Sequence, residues 1–434
     1  MLDLSHYPLD RLASRVGTPF YLHDAGIMRG TVSRFAELVR EHGLFGRYAV
    51  KANAARPVLE LMRAEGLGVD AGSGNEVLRA RRAGFPGGSD PAVIMLTTDV
   101  FRDNALDVVS RERVLPNVGS PRMIRELRDA GYRGPVGVRI NPGFGHGVVE
   151  ACDTGGPSSK HGIWLDALDG VRRAAADAGL PVAVLHAHVG TGPTLPEFDT
   201  NVRKLVDLFV ELLPDFPEVG TVNLGGGIPH PYRPQERAYD LASYRPIWDE
   251  AVARLSQRAA RPIRVEVEPG RYLVAGAGIL VTRVKEVKET RTNEKGRGHT
   301  FVMVDAGFCD LLRPALYGSY HEIEVVSAGA GGGAASGGAQ RPSVSCVVAG
   351  PLCESGDVFT RSETELLDPR MMPRPEAGDL LVVQDAGAYG AVMSSNYLSM
   401  GRAAEVWWED GHGRIISRRE TLEDLVAREC DVAL

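Results

Sequence analysis

An amine, an imidazole, two carboxylates, a guanidinium and three consecutive glycines form a complementary chemical set in the first 271 residues. Lys51 in AVKAN, Asp70 in GVDAG, Asn117, Arg139 in RINPG, His188 in HAHVG, the glycines 225, 226 and 227, and Glu268 in EPGR each follow a short apolar run. Only six of the 49 basic residues are lysine, so each lysine in such a position is informative. A lysine beside an apolar interior is expected to be desolvated. That lowers its pKa and frees a neutral amine for Schiff-base chemistry with carbonyls, pyridoxal phosphate among them. The competing reading is a surface lysine that snorkels. The glycines allow backbone N–H groups to approach an anion closely, although a glycine run alone marks only a turn. Glu268 can pair with a protonated ring nitrogen and strengthen an electron sink; without such a partner it forms an ion pair with Arg271. His188 suits stacking on a planar ring or proton transfer, whereas a lone strand histidine is more often a hydrogen-bonded interior residue.

The elements that must position these groups follow from periodicity. Eight short apolar runs fall at 47–51, 67–70, 93–96, 114–117, 136–140, 182–189, 221–224 and 263–268. Between them lie segments with apolar residues at helical spacing, such as PVLELMRAEG, NEVLRARRAG, PRMIRELRDAG and NVRKLVDLFVELL, several of which stop at glycine. Strands alternating with helices predict an α/β fold, a (β/α)8 barrel over 26–272, whose strand ends face the active site. The rival is an open doubly wound sheet, but no GxGxxG follows the first strand. The glycine run follows the seventh strand, where barrels often bind phosphate. After Arg271 come ILVTRVKEV, TFVMVDAG, VSCVVAG and DLLVVQD, without long helices between them. They predict an all-β domain over 273–434, joined by the N-terminal strand of residues 1–25, PFYLHD. The stretch 327–340, SAGAGGGAASGGAQ, is of low complexity and is expected to be a mobile loop.

Composition excludes several classes. Among 434 residues, 44% are hydrophobic and 24% charged, so the chain as a whole is not disordered. The net charge of −7 gives no reason to expect a nucleic-acid partner. No apolar run approaches the ~20 residues that span a bilayer, and the first 17 residues lack an apolar signal core. No membrane association and a cytoplasmic location are therefore expected. Five scattered cysteines, without a CxxC pair, argue against a disulfide framework and a zinc knuckle, so no metal is expected.

Taken together, the motifs carry a resemblance. RYAVKAN (47–53), GVDAGSGNE (68–76), RINPGFGHG (139–147), DTGGPSSKHGIW (153–164), HAHVGTG (186–192), LGGG (224–227) and EPGR (268–271) occur in one order with DAGFCDLLRPALYGSYH (305–321), GPLCESGDVF (350–359) and GAYGAVMSSNY (387–397). The chain resembles, over nearly its whole length, the meso-diaminopimelate decarboxylase family of alanine-racemase-like, fold-type III pyridoxal-phosphate enzymes. The resemblance implies decarboxylation of meso-2,6-diaminopimelate to L-lysine and CO2, the last step of lysine biosynthesis. It implies Lys51 as the Schiff-base lysine, His188 as the imidazole stacked on the cofactor ring and Glu268 as the partner of its nitrogen. Asp70, Arg139, Gly227, Gly270, Arg271 and Tyr389 would complete the cofactor site. Arg271, Arg313, Tyr317, Glu354 and Tyr389 would hold substrate, and Cys353 would donate the proton. Cys353 and Glu354 would enter from a second subunit of a homodimer with shared sites. The sequence departs from the family pattern at NYLSMGR, His161 and Thr191, which bears on substrate fit, although Arg402 keeps the last arginine. Two alternatives remain at this point: a decarboxylase for ornithine, lysine or arginine, which would make poor use of the site's surplus arginines, and a regulatory pyridoxal-phosphate-binding relative without activity. A racemase fits less well, because those relatives place an arginine opposite the ring nitrogen.

Overall fold

The computed structural model describes residues 1–145, 147, 153–191, 194–236, 240–328, 341–362 and 364–432. Most of the low-complexity stretch, from 329 on, and Cys152 lie outside the described residues. The chain forms two compact units: Gly30–His230 with Ala238–Leu273, and Met1–Arg29 with Pro231–Arg237 and Val274–Leu434.

The first unit is a closed parallel barrel. Its eight strands are Phe45–Ala49, Gly68–Ala71, Ile94–Thr98, Leu115–Val118, Val136–Asn141, Val182–His186, Thr221–Asn223 and Arg264–Val267. Each pairs in parallel with its neighbour, and the eighth pairs with the first, so the ring closes and the open-sheet rival is excluded. A two-residue strand, Ile163–Trp164, adds to the edge of the fifth. The eight apolar runs of the sequence thus became the eight strands. The helices begin close behind the strand ends because polar caps start them. Ser73 accepts from Glu76 N at the start of Gly74–Arg82, and Ser120 accepts from Met123 N before Pro121–Asp129. Thr194 and Glu197 form a capping box ahead of Leu195–Leu212.

Side chains on a strand alternate between its two faces, so every second residue enters the barrel. Met95, Leu115 and Val184 form an apolar cluster there. Two residues further along the same strands stand Thr97, Asn117 and His186, all buried. Along these three strands the interior therefore changes from apolar to polar.

The second unit is a nine-stranded, mostly antiparallel sheet. Phe20–Asp24 pairs antiparallel with Gly278–Glu289 and parallel with Ala404–Glu409. Alternation here feeds two apolar clusters, one on each face. Phe20, Leu22, Ile279, Val281, Leu380 and Val382 join one; Tyr21, Leu280, Leu381 and Val383 join the other. Strands buried on both faces are what continuous apolar runs such as ILV and LLVV predict.

Candidate active site

Lys51 lies in the helical turn Val50–Ala52, directly after the first barrel strand. It is exposed, contrary to the desolvation expected from the sequence, because the strand stops at Ala49 and the turn lifts the side chain out of the interior. Its charge still bears on Asp70, Glu76, His188 and Glu268, which places the amine over the barrel mouth.

Below it runs a belt of buried hydrogen bonds. Thr97 Oγ1 donates to Asp70 Oδ1 at 2.5 Å and accepts from Asn117 Nδ2 at 3.1 Å. Asn117 Nδ2 also lies 2.9 Å from His186 Nδ1, and His186 Nε2 lies 2.9 Å from Glu268 Oε1. Asn223 Nδ2 reaches Glu268 Oε2 at 3.2 Å and Glu266 Oε2 at 3.3 Å. Arg47 closes the belt with two bonds to Glu266, of 2.6 and 2.9 Å. Gly137 makes the span from Asn117 to His186 possible: a Cβ there would stand 2.9 Å from Asn117 Oδ1. Burial works to raise the pKa of Glu268, yet it is held well below the ordinary carboxylate range because His186, which also hydrogen-bonds it, and Lys51 face it. Asp70 moves the other way, pushed up by burial and by the Glu268 charge. Two carboxyls in one barrel are thus pushed in opposite directions, Glu268 toward its ionised form and Asp70 toward its protonated one.

His188, two residues beyond His186, accepts from Gly226 N through Nδ1 at 3.3 Å. Desolvation, then Lys51 and Arg139, push its pKa well down, so it presents an uncharged ring and is poorly suited to donate a proton. Arg139 is buried, and its Nε and Nη2 have no hydrogen-bond partner among the described residues. The glycines are needed by packing as well as by any ligand. Gly225 and Gly227 have φ of +71° and +101°, and Cβ atoms there would meet Ala187 O at 2.5 Å and Gly190 O at 2.4 Å. Gly270, in EPGR, has the Cβ atoms of Ala49 and Ala52 at 3.1 Å from where its own would be. Arg271 opens the short helix Arg271–Val274 in the same unit.

The remaining predicted residues belong to the sheet unit. Arg313, at the start of the helix Arg313–Tyr317, is buried and donates through Nη1 to His321 Nε2 at 2.7 Å. His321 Nδ1 in turn lies 2.8 Å from Gln384 O, and Tyr232 covers the guanidinium at 4.7 Å. Tyr317 ends that helix, and Gly318 follows in the left-handed conformation. Tyr389 has φ of +58°, a strained setting for a bulky residue of the kind that clusters at functional sites. Cys353 and Glu354 are exposed on the loop after Ser343–Ala349. Asp357 ties that loop down, accepting from Leu352 N at 2.9 Å and Phe308 N at 2.7 Å. Of the departures from the family pattern, His161 is held by Asp99 at 2.6 Å; Arg402, the retained arginine, lies 3.6 Å from Glu420.

Reading the ends of the apolar runs missed His186 and Asn223, which end their strands in the structure, and the Arg47–Glu266 pair. The signal was present: in HAH and VEVE the period of two puts His186 beside His188 and Glu266 beside Glu268 on the inner face. His321 and Asp357 stood inside quoted motifs, but nothing in their spacing announced a role.

The barrel mouth fits pyridoxal phosphate on its own chemistry. It offers an amine, an ionised buried carboxylate, an uncharged imidazole, a buried arginine with unpartnered donors, and closely packed glycine turns. Among the described residues no cluster of His, Cys, Asp and Glu could hold a metal. Residues 28–275 match the family model described as pyridoxal-dependent decarboxylase, pyridoxal binding domain. The chain is 39% identical to the diaminopimelate decarboxylase of Escherichia coli K12 over 98% of its own length and 97% of that protein. It is also 39% identical to that of Streptomyces coelicolor, over 96% and 91%. A crystal structure of a diaminopimelate decarboxylase superposes with a TM-score of 0.87 at 38% identity, covering 96% of this chain and 95% of that one. A second, from M. jannaschii in complex with L-lysine, gives 0.83 at 28% identity, over 98% and 95%. The chain belongs to the pyridoxal-dependent decarboxylases, on their diaminopimelate decarboxylase branch.

Proposed function

We propose that the chain decarboxylates meso-2,6-diaminopimelate to L-lysine and CO2 with pyridoxal phosphate as cofactor, the last step of lysine biosynthesis. The observation that carries this is 39% identity to diaminopimelate decarboxylases across almost the full length of both chains. The cofactor, when bound, supplies an electron sink for the charge left at Cα as CO2 departs. Lys51 would hold it at the barrel mouth. Glu268, whose pKa is held down, would partner its ring nitrogen, and His188, whose pKa is pushed down, would pack on its ring. Asp70, Arg139 and Tyr389 would contribute further contacts, while Gly227, Gly270 and Arg271 would receive its phosphate. The Gly225 and Gly226 amides already serve Asn223 Oδ1 and His188 Nδ1, at 2.8 and 3.3 Å, which leaves the anion to Gly227.

Arg271, Arg313, Tyr317, Tyr389 and Glu354 hold the substrate, whose distal end bears both an ammonium and a carboxylate. Groups of both signs are needed to read that end. His321 accepts from Arg313 and so fixes the guanidinium plane. Cys353 returns the proton to Cα. Its exposed position on a loop pinned by Asp357 suits delivery into another subunit's barrel, so the working form is a homodimer with shared sites, located in the cytoplasm. CO2 release from meso-diaminopimelate, lysine, ornithine and arginine tests the reading. Turnover of diaminopimelate far above the others is expected, because a substrate lacking the distal carboxylate leaves charged groups unpaired. A comparable kcat/KM for ornithine overturns it.

A further inference from the structure

His186 has no part in the function described so far, yet it stands at the centre of the polar belt. It is wholly buried, and its two ring nitrogens are each 2.9 Å from a polar partner, Asn117 Nδ2 on one side and Glu268 Oε1 on the other. The direction of the bonds is set from the far end. Asn117 Nδ2 is a donor, and it gives one bond to Thr97 Oγ1 and one to His186 Nδ1. Nδ1 therefore accepts, and the ring proton sits on Nε2, toward Glu268.

Barrel interiors are ordinarily filled by branched apolar side chains, and a buried polar group is unfavourable unless it is hydrogen-bonded. A histidine here with both nitrogens engaged is thus a specific construction rather than filler. It reaches Glu268 past the seventh strand and Asn117 past the fifth, where Gly137 leaves the room. The groups facing Glu268 are Lys51, Asp70, His186, His188 and, through Asn223, the Arg47–Glu266 pair. Among the hydrogen bonds within the belt, only His186 and Asn223 donate to the Glu268 side chain, one to each oxygen.

We propose that His186 is a positioning residue for the reaction: held by Asn117, it donates Nε2–H to Glu268 Oε1 and keeps that carboxylate ionised and fixed in direction inside the barrel. Without it, burial acts on Glu268 against fewer opposing groups, and the carboxylate takes up a proton. The consequence for the cofactor rests on the reading of Glu268 as partner of the ring nitrogen; the consequence for Glu268 itself does not.

The experiment separates the two. Infrared spectra of the cofactor-free protein at neutral pH report protonated carboxyls by their C=O stretch. His186→Leu should show one such band more than the wild type, and the band should vanish in His186→Leu/Glu268→Gln. His186→Gln, whose amide can donate to Glu268 from a similar place, should keep the wild-type spectrum, and it covers the event that the leucine variant folds poorly. Reconstitution with pyridoxal phosphate should be about tenfold weaker in His186→Leu and near normal in His186→Gln. No extra band in a folded His186→Leu, or an extra band in His186→Gln as well, overturns the inference. An extra band in His186→Leu with unchanged cofactor affinity and an unchanged pH dependence of the bound cofactor's absorbance supports the inference and overturns the reading of Glu268.

Discussion

The barrel and the sheet unit use strand alternation in opposite ways. In the barrel, alternate residues of the strands carry Arg47, Asp70, Thr97, Asn117, His186, Asn223 and Glu266 into a buried, hydrogen-bonded interior. In the sheet unit, the central strands feed an apolar cluster on each face, and the residues expected to carry chemistry stand on a five-residue helix and on loops. The barrel thus writes its site into the period of its strands, where geometry fixes each side chain. The sheet unit hangs its site on connections, where single tether residues such as Asp357 and His321 must do the fixing. If this division is right, substitutions in the barrel should alter the chemistry itself. Substitutions in the sheet unit should act on how groups are held and presented.

The largest effect is expected at Lys51. Lys51→Ala should abolish turnover, and borohydride reduction of the cofactor-loaded wild type followed by peptide mass analysis should place the pyridoxyl group on Lys51. Finding it on Lys160 or Lys204 would remove the barrel mouth from the mechanism. Next comes Glu268→Gln, which cannot hold a pyridinium proton by charge. A fall in kcat of at least ~10²-fold is expected with cofactor still bound. Near-normal turnover in the loaded variant would show that the ionised carboxylate is not what the barrel contributes.

How much of this could be read in advance differed between the two units for the same reason. All eight barrel strands were legible as apolar runs, since a strand buried on both faces must be apolar for most of its length. Residues at the ends of the runs could be singled out because a barrel opens its mouth there. His186 and Asn223 were not, because the apolar runs 182–189 and 221–224 continue past them, so residues that end their strands read as interruptions inside a run. Lys51 was read as ending the first strand, whereas it lies exposed in the turn that follows, because where a strand yields to a helical turn depends on the neighbouring chain and not on the run itself. In the sheet unit, ILVTRVKEV and its fellows announced strands, whereas Arg313, Tyr317, Cys353 and Tyr389 were legible only through resemblance of whole motifs.

Asp357 tests the loop side of the comparison. Asp357→Ala removes the acceptor of both Leu352 N and Phe308 N and should loosen the turn bearing Cys353. A fall of about tenfold in kcat is expected from two unmatched backbone donors, with cofactor affinity unchanged. A change in cofactor affinity instead would mean that the loop acts on the barrel's chemistry. Smaller still is the deficit expected when Lys51→Ala and Cys353→Ala are refolded together. If Cys353 serves another subunit's barrel, half of the dimers are mixed, and one of the two sites in each carries no lesion. About a quarter of wild-type activity should return. Proven heterodimers without activity would confine Cys353 to its own subunit.

The smallest effect on turnover, and the sharpest contrast in electrostatics, is expected at Asp310. Like Glu268 it is a buried carboxyl, but it lies in the sheet unit with weaker partners. Its Oδ2 accepts from Gly307 N at 3.0 Å and from the Cys309 thiol at 3.5 Å, with Arg419 and Asp305 acting on it in opposite senses. Burial wins, and its pKa is pushed up to about 6. The unfolded chain titrates near 3.9. The folded state therefore binds the proton more tightly. The resulting stability is complete below about pH 4 and is lost as the pH rises through about 6. Above that the folded protein carries a buried charge at a cost of about 3 kcal/mol, from two pKa units at 1.36 kcal/mol each. Asp310→Asn keeps an oxygen for Gly307 N and has no charge to bury. Its Tm should exceed that of the wild type at pH 7.5, and the difference should shrink or reverse at pH 4.5, with kcat little changed. A stability difference that stays constant across that range would show that Asp310 is ionised in the folded protein throughout. The sheet unit would then hold its carboxyls as the barrel holds Glu268.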